Sequence, residues 1–168
     1  DAASLICGAS GDYDTHLDRV SQILGKDVDT AASLTPLILD TGTVFVADGF
    51  VNYEPSAEDI AQICQMAAEQ VRDFGLVPRV ALISHANFGA NTSASAARMR
   101  AAAQHLADLN VAFEFEGEMQ LNLAFDQSAR DQLLPCARLT DRPNILVFPS
   151  MDAARATIDA LVSLADAE

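Results

Sequence analysis

Residues 56–84, SAEDIAQICQMAAEQVRDFGLVPRVALIS, decide the fold. Ser56 followed three residues later by Asp59 has the form of a capping box, and Pro55 stands just ahead of it. Ile60, Ile63, Cys64, Ala67, Val71 and Phe74 then recur at steps of three and four, which lays one apolar stripe along a helix. Gly75 supplies the stop, since glycine takes the left-handed conformation that closes a helix without a Cβ penalty. After Pro78 comes Val80-Ala81-Leu82-Ile83, a compact apolar run of the kind found in buried strands. An amphipathic helix feeding straight into a buried strand predicts a layered α/β arrangement.

The same alternation extends in both directions. On the C-terminal side a polar turn, Ser84 to Thr92, leads into an alanine-rich helix from about Ser93 to Asp108. Val111 to Phe115 reads as a strand broken by Gly117, and one or two short helices cover Glu118 to Leu134. Asn144 to Phe148 is the last strand, followed by a helix to about Ala165 with Ser150 as its N-cap. On the N-terminal side, Leu37 to Leu39 and Val44 to Ala47 flank the turn-like Asp40-Thr41-Gly42 and form a hairpin. A helix from about Asp14 to Leu24, closed by Gly25, and the end of a strand at Leu5-Ile6-Cys7 precede it. The expected fold is a single domain over residues 1–168, a three-layer α/β/α arrangement on a mostly parallel, mixed sheet. Because the chain starts at Asp1, it reads as a piece cut from a longer one.

Composition narrows the function. Ten Lys and Arg against 24 Asp and Glu leave a net charge of −14, with Lys26 the one lysine in the sequence. Nucleic acid is excluded as a partner, because tracking phosphates takes clustered cations. No apolar run approaches the ~18 residues that span a bilayer, and no signal-peptide pattern opens the sequence. A cytoplasmic protein is the expectation. Cys7, Cys64 and Cys136 are odd in number and far apart, and they read as buried, reduced thiols. No His or Cys pair has metal-ligand spacing, so neither a metal nor a cofactor is expected in this chain.

In open parallel sheets ligands gather beyond the C-terminal ends of the strands. Three junctions have that form: Ile83 to Gly89, Phe115 to Gln120, and Val147 to Asp152. No phosphate-cradling loop, dinucleotide fingerprint or nucleophile elbow accompanies them. Ser84 beside His85 is no triad, since adjacent strand residues point to opposite faces. Glu118 reads first as a cap for the next helix and second as a site residue. Asp152, in the first turn of the last helix, suits the helix dipole. No residue is assigned a catalytic role.

These same junctions carry a family resemblance. Val80 to Gly89 is similar to the "VALLSHSNFGS" segment of the phosphate acetyl/butyryltransferase family, and Ala96 to Arg100 to the helix after it. Glu116 to Gln120 resembles the family's "DGEMQ", and Asn144 to Pro149 with Asp152-Ala153-Ala154 resembles its last strand and helix start. Ala47-Asp48, Val51-Asn52 and Glu54-Pro55 resemble the branch fused to bacterial NADP-dependent malic enzymes. The blocks keep family order over nearly the whole chain. The resemblance implies the second lobe of a transferase-like module, layered like the isocitrate and isopropylmalate dehydrogenases.

It further implies a regulatory and assembly role, with acetyl-CoA or a related acyl-CoA as effector of malate decarboxylation to pyruvate. The lobe would form half of the acyl-CoA cleft. Ser84, Asn87 and Gly89 would face it, Gly117 and Glu118 would shape the neighbouring turn, and Asp152 would sit at its edge. Homo-oligomer contacts and the remaining domains of the parent, which would hold NADP and a divalent metal, are the implied partners. The alternative is a lobe of an active phosphate acetyltransferase or butyryltransferase. Against it, Asp159 stands where transferases of the family carry a lysine, and the family's downstream Ser-Arg-Gly motif does not occur in this sequence.

Overall fold

Ser56 and Asp59 form the reciprocal capping box, each side chain accepting from the other's backbone N–H, at 3.1 and 3.0 Å. The helix they start, α2 (Ala57–Asp73), buries Ile60, Ile63, Cys64, Ala67 and Val71. The computed structural model describes residues 10–24 and 31–168. The expected strand at Leu5 to Cys7 and the stop at Gly25 lie outside these. The chain divides into two compact units, residues 1–31 and 32–168. In the first, α1 (Tyr13–Leu24) is capped by Asp12, whose carboxylate accepts from the Thr15 backbone N–H at 2.9 Å and hydroxyl at 2.8 Å. Those two bonds hold the Asp12 carboxyl below its ordinary pKa.

The second unit is built on β1 (Leu34–Leu39), β2 (Gly42–Ala47), β3 (Arg79–Ile83), β4 (Glu114–Met119) and β5 (Ile145–Val147), in the order β1-β2-β5-β3-β4. β1 and β2 form the expected antiparallel hairpin, and the remaining neighbours pair parallel, so the sheet is mixed and mostly parallel. Helices cover both faces. α2 and α3 (Ala94–Asp108) pack on one side with Phe45, Val80, Leu82, Ile145 and Val147. α4 (Leu121–Phe125) and α6 (Met151–Leu164) pack on the other with Val44, Val46, Ala81 and Leu146. The odd and even residues of each strand thus feed different layers, as period-two alternation requires.

Three expectations need correction. Phe74 does not continue the α2 stripe: it is the C-cap, 63% exposed, and its ring stacks on Phe45 at 5.6 Å. Gly117 does not break β4, which runs through it to Met119. A Cβ on Gly117 would stand 2.6 Å from the Leu82 carbonyl oxygen, so this glycine marks two strand backbones in close approach. The register shifts there, between Leu82 and Ile83. Cys136 is exposed, whereas Cys64 is buried on α2, where loss of solvation pushes its thiol pKa up.

Both margins of the sheet are guarded. Along β4, Glu116 accepts from the Arg138 backbone N–H at 2.7 Å, and Glu114 accepts from Thr140 N–H and hydroxyl at 3.0 Å. These bonds hold residues 138–140 beside the strand. That segment is preceded by α5 (Gln127–Leu133), whose Arg130 is fully buried. Its guanidinium donates to the carbonyls of Ala124 at 2.7 Å and Asp141 at 3.2 Å, while its Nε has no partner. On the outer edge of β1, Ile38 and Glu168 exchange backbone hydrogen bonds at 2.9 and 3.2 Å. Pro36, two residues earlier, presents that same edge and has no N–H.

Candidate functional site

Because β2, β5, β3 and β4 run parallel, their C-terminal ends lie along one rim of the sheet. Connections leaving β5 and β3 pass to opposite faces, α6 to one and α3 to the other. A crevice opens where neighbouring connections diverge in this way, and it is the usual ligand position in an open α/β sheet. The helices α2, α3 and α6 start at the same rim, each capped by a serine: Ser56, Ser93 and Ser150.

The loop after β3 is fixed from below by the end of β4. Ser84 N–H donates to Met119 O and Phe88 N–H to Glu118 O, both at 2.8 Å. Asn87 and Gln120 are doubly joined, Gln120 N–H to Asn87 Oδ1 at 2.7 Å and Asn87 Nδ2 to Gln120 Oε1 at 3.2 Å. Gln120 Nε2 also donates to His85 O at 3.0 Å. Gly89, at φ +87°, donates its N–H to Glu118 Oε1 at 2.9 Å.

The Glu118 carboxylate is entirely buried and takes two more bonds from the Arg100 guanidinium of α3, at 2.9 and 3.1 Å. Arg100 in turn donates to Asn91 O at 2.8 Å. The carboxylate raises the Arg100 pKa, through their hydrogen bond first. Glu118 therefore does not cap α4, which has no side-chain cap on Gln120. It cross-links a strand, a loop and a helix, and its oxygens are committed to them.

The structure thus brings Ser84, Asn87, Gly89, Gly117 and Glu118 together at the ends of β3 and β4. Asp152 stands apart, exposed in the first turn of α6, on the same rim beyond β5. Ser84 Oγ accepts from Ala86 N–H at 3.4 Å, and His85 Nε2 lies 3.4 Å from Ser93 Oγ. The serine and the imidazole belong to separate contacts, so no base activates this hydroxyl among the described residues. What the rim presents is fixed loop backbone and small polar groups.

Two anchors were not assigned a role by the sequence reading. Asp48, buried at the end of β2, accepts from the N–H groups of Phe50 at 3.1 Å, Val51 at 3.2 Å and Asn52 at 2.8 Å, from Asn52 Nδ2 at 2.6 Å and from the Ser33 hydroxyl. The signal was Asp48-Gly49 itself, the start of an Asx-type turn. Arg98 reaches from α3 to Pro149 O at 2.9 Å and so ties the two sides of the β3–β5 crevice together. Its signal was a second arginine, two residues before Arg100, in a chain with ten basic residues. Among the described residues there is no cluster of three or more His, Cys, Asp or Glu able to hold a metal, and no helix long and apolar enough to cross a membrane.

Comparison with known proteins agrees with this fold. The model of a family described as "Phosphate acetyl/butaryl transferase" matches residues 1–168. An NAD-dependent malic enzyme of Rhizobium meliloti is 42% identical over 168 residues, covering 99% of this chain and 22% of its own length. An NADP-dependent malic enzyme of Haemophilus influenzae is 43% identical over 162 residues, 95% of this chain and 21% of that enzyme. The chain therefore spans about a fifth of the curated relatives it matches. Among solved structures, the EutD phosphotransacetylase from Staphylococcus aureus superposes with a TM-score of 0.77 at 22% identity, over 86% of this chain and 45% of that one, a likeness of fold.

Proposed function

The chain belongs to the phosphate acetyl/butaryl transferase family, and from that premise we propose that it works as the transferase-like regulatory and assembly module of a malic enzyme. The observation that carries the reading is the strand-end rim, on which the β3 loop is locked by the buried Glu118 carboxylate. In this reading the rim is one wall of an acetyl-CoA cleft, and a second lobe supplies the facing wall. Ser84, Asn87 and Gly89 present the ligand surface, with Gly117 and Glu118 holding it in shape and Asp152 at its far end. The layering of helices on a mixed sheet supports the kinship with isocitrate and isopropylmalate dehydrogenases that the sequence resemblance implies. The parent would oxidise malate to pyruvate with NADP and a divalent metal held elsewhere in its chain. It would assemble as a homo-oligomer in the cytoplasm.

A ligand that touches one wall of a cleft loses much of its burial. Acetyl-CoA should accordingly bind the 168-residue chain poorly and act on the full-length parent. The test is malate oxidation by that parent at rising acetyl-CoA, with and without the Gly89→Val substitution. The reading expects the rate or the malate KM to shift with effector, and the shift to shrink in the variant. An unchanged response at saturating acetyl-CoA would remove the regulatory role. Formation of acetyl phosphate from acetyl-CoA and phosphate by the 168-residue chain would favour a working transferase instead.

A further inference from the structure

A groove of about 540 Å³ lies between α4, α6 and the β1–β2 hairpin, on the face of the sheet away from α2 and α3. Its walls are Leu39, Val44, Leu121, Phe125, Leu146 and Leu161. It opens near the turn between β1 and β2 and the residues leading into β5, at the other end of the strands from the rim described above. The volume is in the range of small-molecule sites, roughly 300–1,000 Å³, and so is the character, apolar with few polar groups.

Asn122 and Arg142 are its polar lining residues, and the charge belongs to Arg142. Its guanidinium lies over the Phe125 ring, 4.9 Å from the centroid, and donates to Thr41 Oγ1 at 3.1 Å. Among the described residues no carboxylate forms an ion pair with it. The neighbouring Asp141 instead accepts from the Arg142 backbone N–H at 2.7 Å and turns its other oxygen to Arg79, 3.4 Å away. A guanidinium has five N–H donors, and Thr41 takes one. In a chain with 24 acidic residues, a cation left without a carboxylate beside an apolar groove is complementary to an acid that brings its own hydrocarbon.

We propose that this groove binds an amphipathic monocarboxylate, with its alkyl tail against the leucines and Phe125 and its carboxylate on Arg142. The charge favours an acid over a neutral alcohol of equal length. It also makes the apolar surface of a second copy the poorer occupant, since that would leave the guanidinium without a counter-charge. The site is separate from the strand-end rim, so the proposal stands independently of the acyl-CoA reading.

Isothermal titration of the 168-residue chain with hexanoate, octanoate, decanoate and decanol, all below aggregation, is the test. One saturable site is expected, tightening about fourfold per added methylene, the equivalent of about 0.8 kcal/mol. Decanoate should bind at least about tenfold more tightly than decanol, the difference a charge-assisted hydrogen bond makes. Arg142→Gln should bring decanoate to the decanol level and leave the chain-length slope intact. Three results would overturn the proposal: no saturable heat with decanoate, equal affinity for decanol and decanoate in the wild type, or no loss in Arg142→Gln. A wild-type dimer in sedimentation that Leu161→Asp splits and decanoate does not would assign the groove to a second copy and likewise overturn it.

Discussion

Glu118 on β4 and Arg100 on α3 are joined by two hydrogen bonds, of 2.9 and 3.1 Å, yet the two ends of the pair stand in different surroundings. The carboxylate is fully buried, while the guanidinium side chain is 41% exposed. The pair therefore responds unequally to loss of either member.

Removing the buried end leaves a cation that water can reach, whereas removing the exposed end strands a charge in the core. Glu118→Gln should cost about 1–3 kcal/mol, the usual range for a buried polar group that loses partners. Arg100→Met should cost more than Glu118→Gln. Urea denaturation of both variants measures the order, and the reverse order would show that Arg100 does not compensate the carboxylate.

Gly117 and Gly42 both have positive φ, 150° and 119°, but only Gly117 is crowded. A Cβ there meets the Leu82 carbonyl at 2.6 Å and Leu82 Cβ at 2.7 Å, and at Gly42 it meets nothing within 4 Å. Gly42→Ala should lose about 1 kcal/mol from backbone strain. Gly117→Ala adds overpacking and should lose roughly 2–4 kcal/mol. Thermal melts of the two proteins check the gap.

Arg130 has no flexible substitute. Its planar fork reaches the Ala124 and Asp141 carbonyls from a fully buried position, and a lysine offers one nitrogen where two are in use. Arg130→Lys should destabilise by about 1–3 kcal/mol, since at least one buried carbonyl loses its donor. Hydrogen exchange should accelerate first in residues 134–141, which the fork fastens to α4.

The two described thiols should differ sharply toward alkylation. Burial raises the Cys64 pKa, so at neutral pH almost no reactive thiolate forms, and the side chain is out of reach as well. Cys136 is exposed. Peptide mapping after brief iodoacetamide treatment should find label on Cys136 in the native protein, and on Cys64 only after denaturation.

Periodicity made the helices and the hairpin legible. α2 and α6 started where Ser56 and Ser150 announced them, because capping is a local interaction between residues three apart. Failures came where a long-range contact overrode a local signal. Phe74 fits the α2 stripe by spacing, but the helix ends before it and its ring finds Phe45 instead. Gly117 looks like a breaker in one dimension, and is a point of contact between β3 and β4 in three. Of the rim, the ends of β2, β3 and β5 could be located from their apolar runs, whereas the end of β4, read at Phe115, lies at Met119. The commitments of Glu118 to Arg100 and Gly89, 18 and 29 residues away, could not, since no short motif spans them.

The closed margins of the sheet bear on how copies of this molecule can associate. Residues 138–140 occupy the flank of β4, and the flank of β1 offers a proline and a rung already used by Glu168. Among the described residues, an incoming strand meets that segment beside β4 and a proline and a used rung at β1, so edge-to-edge pairing has poor footholds. Were copies of this chain to associate, the helical faces, where complementary side chains rather than an open ladder decide the fit, would be the readier surfaces.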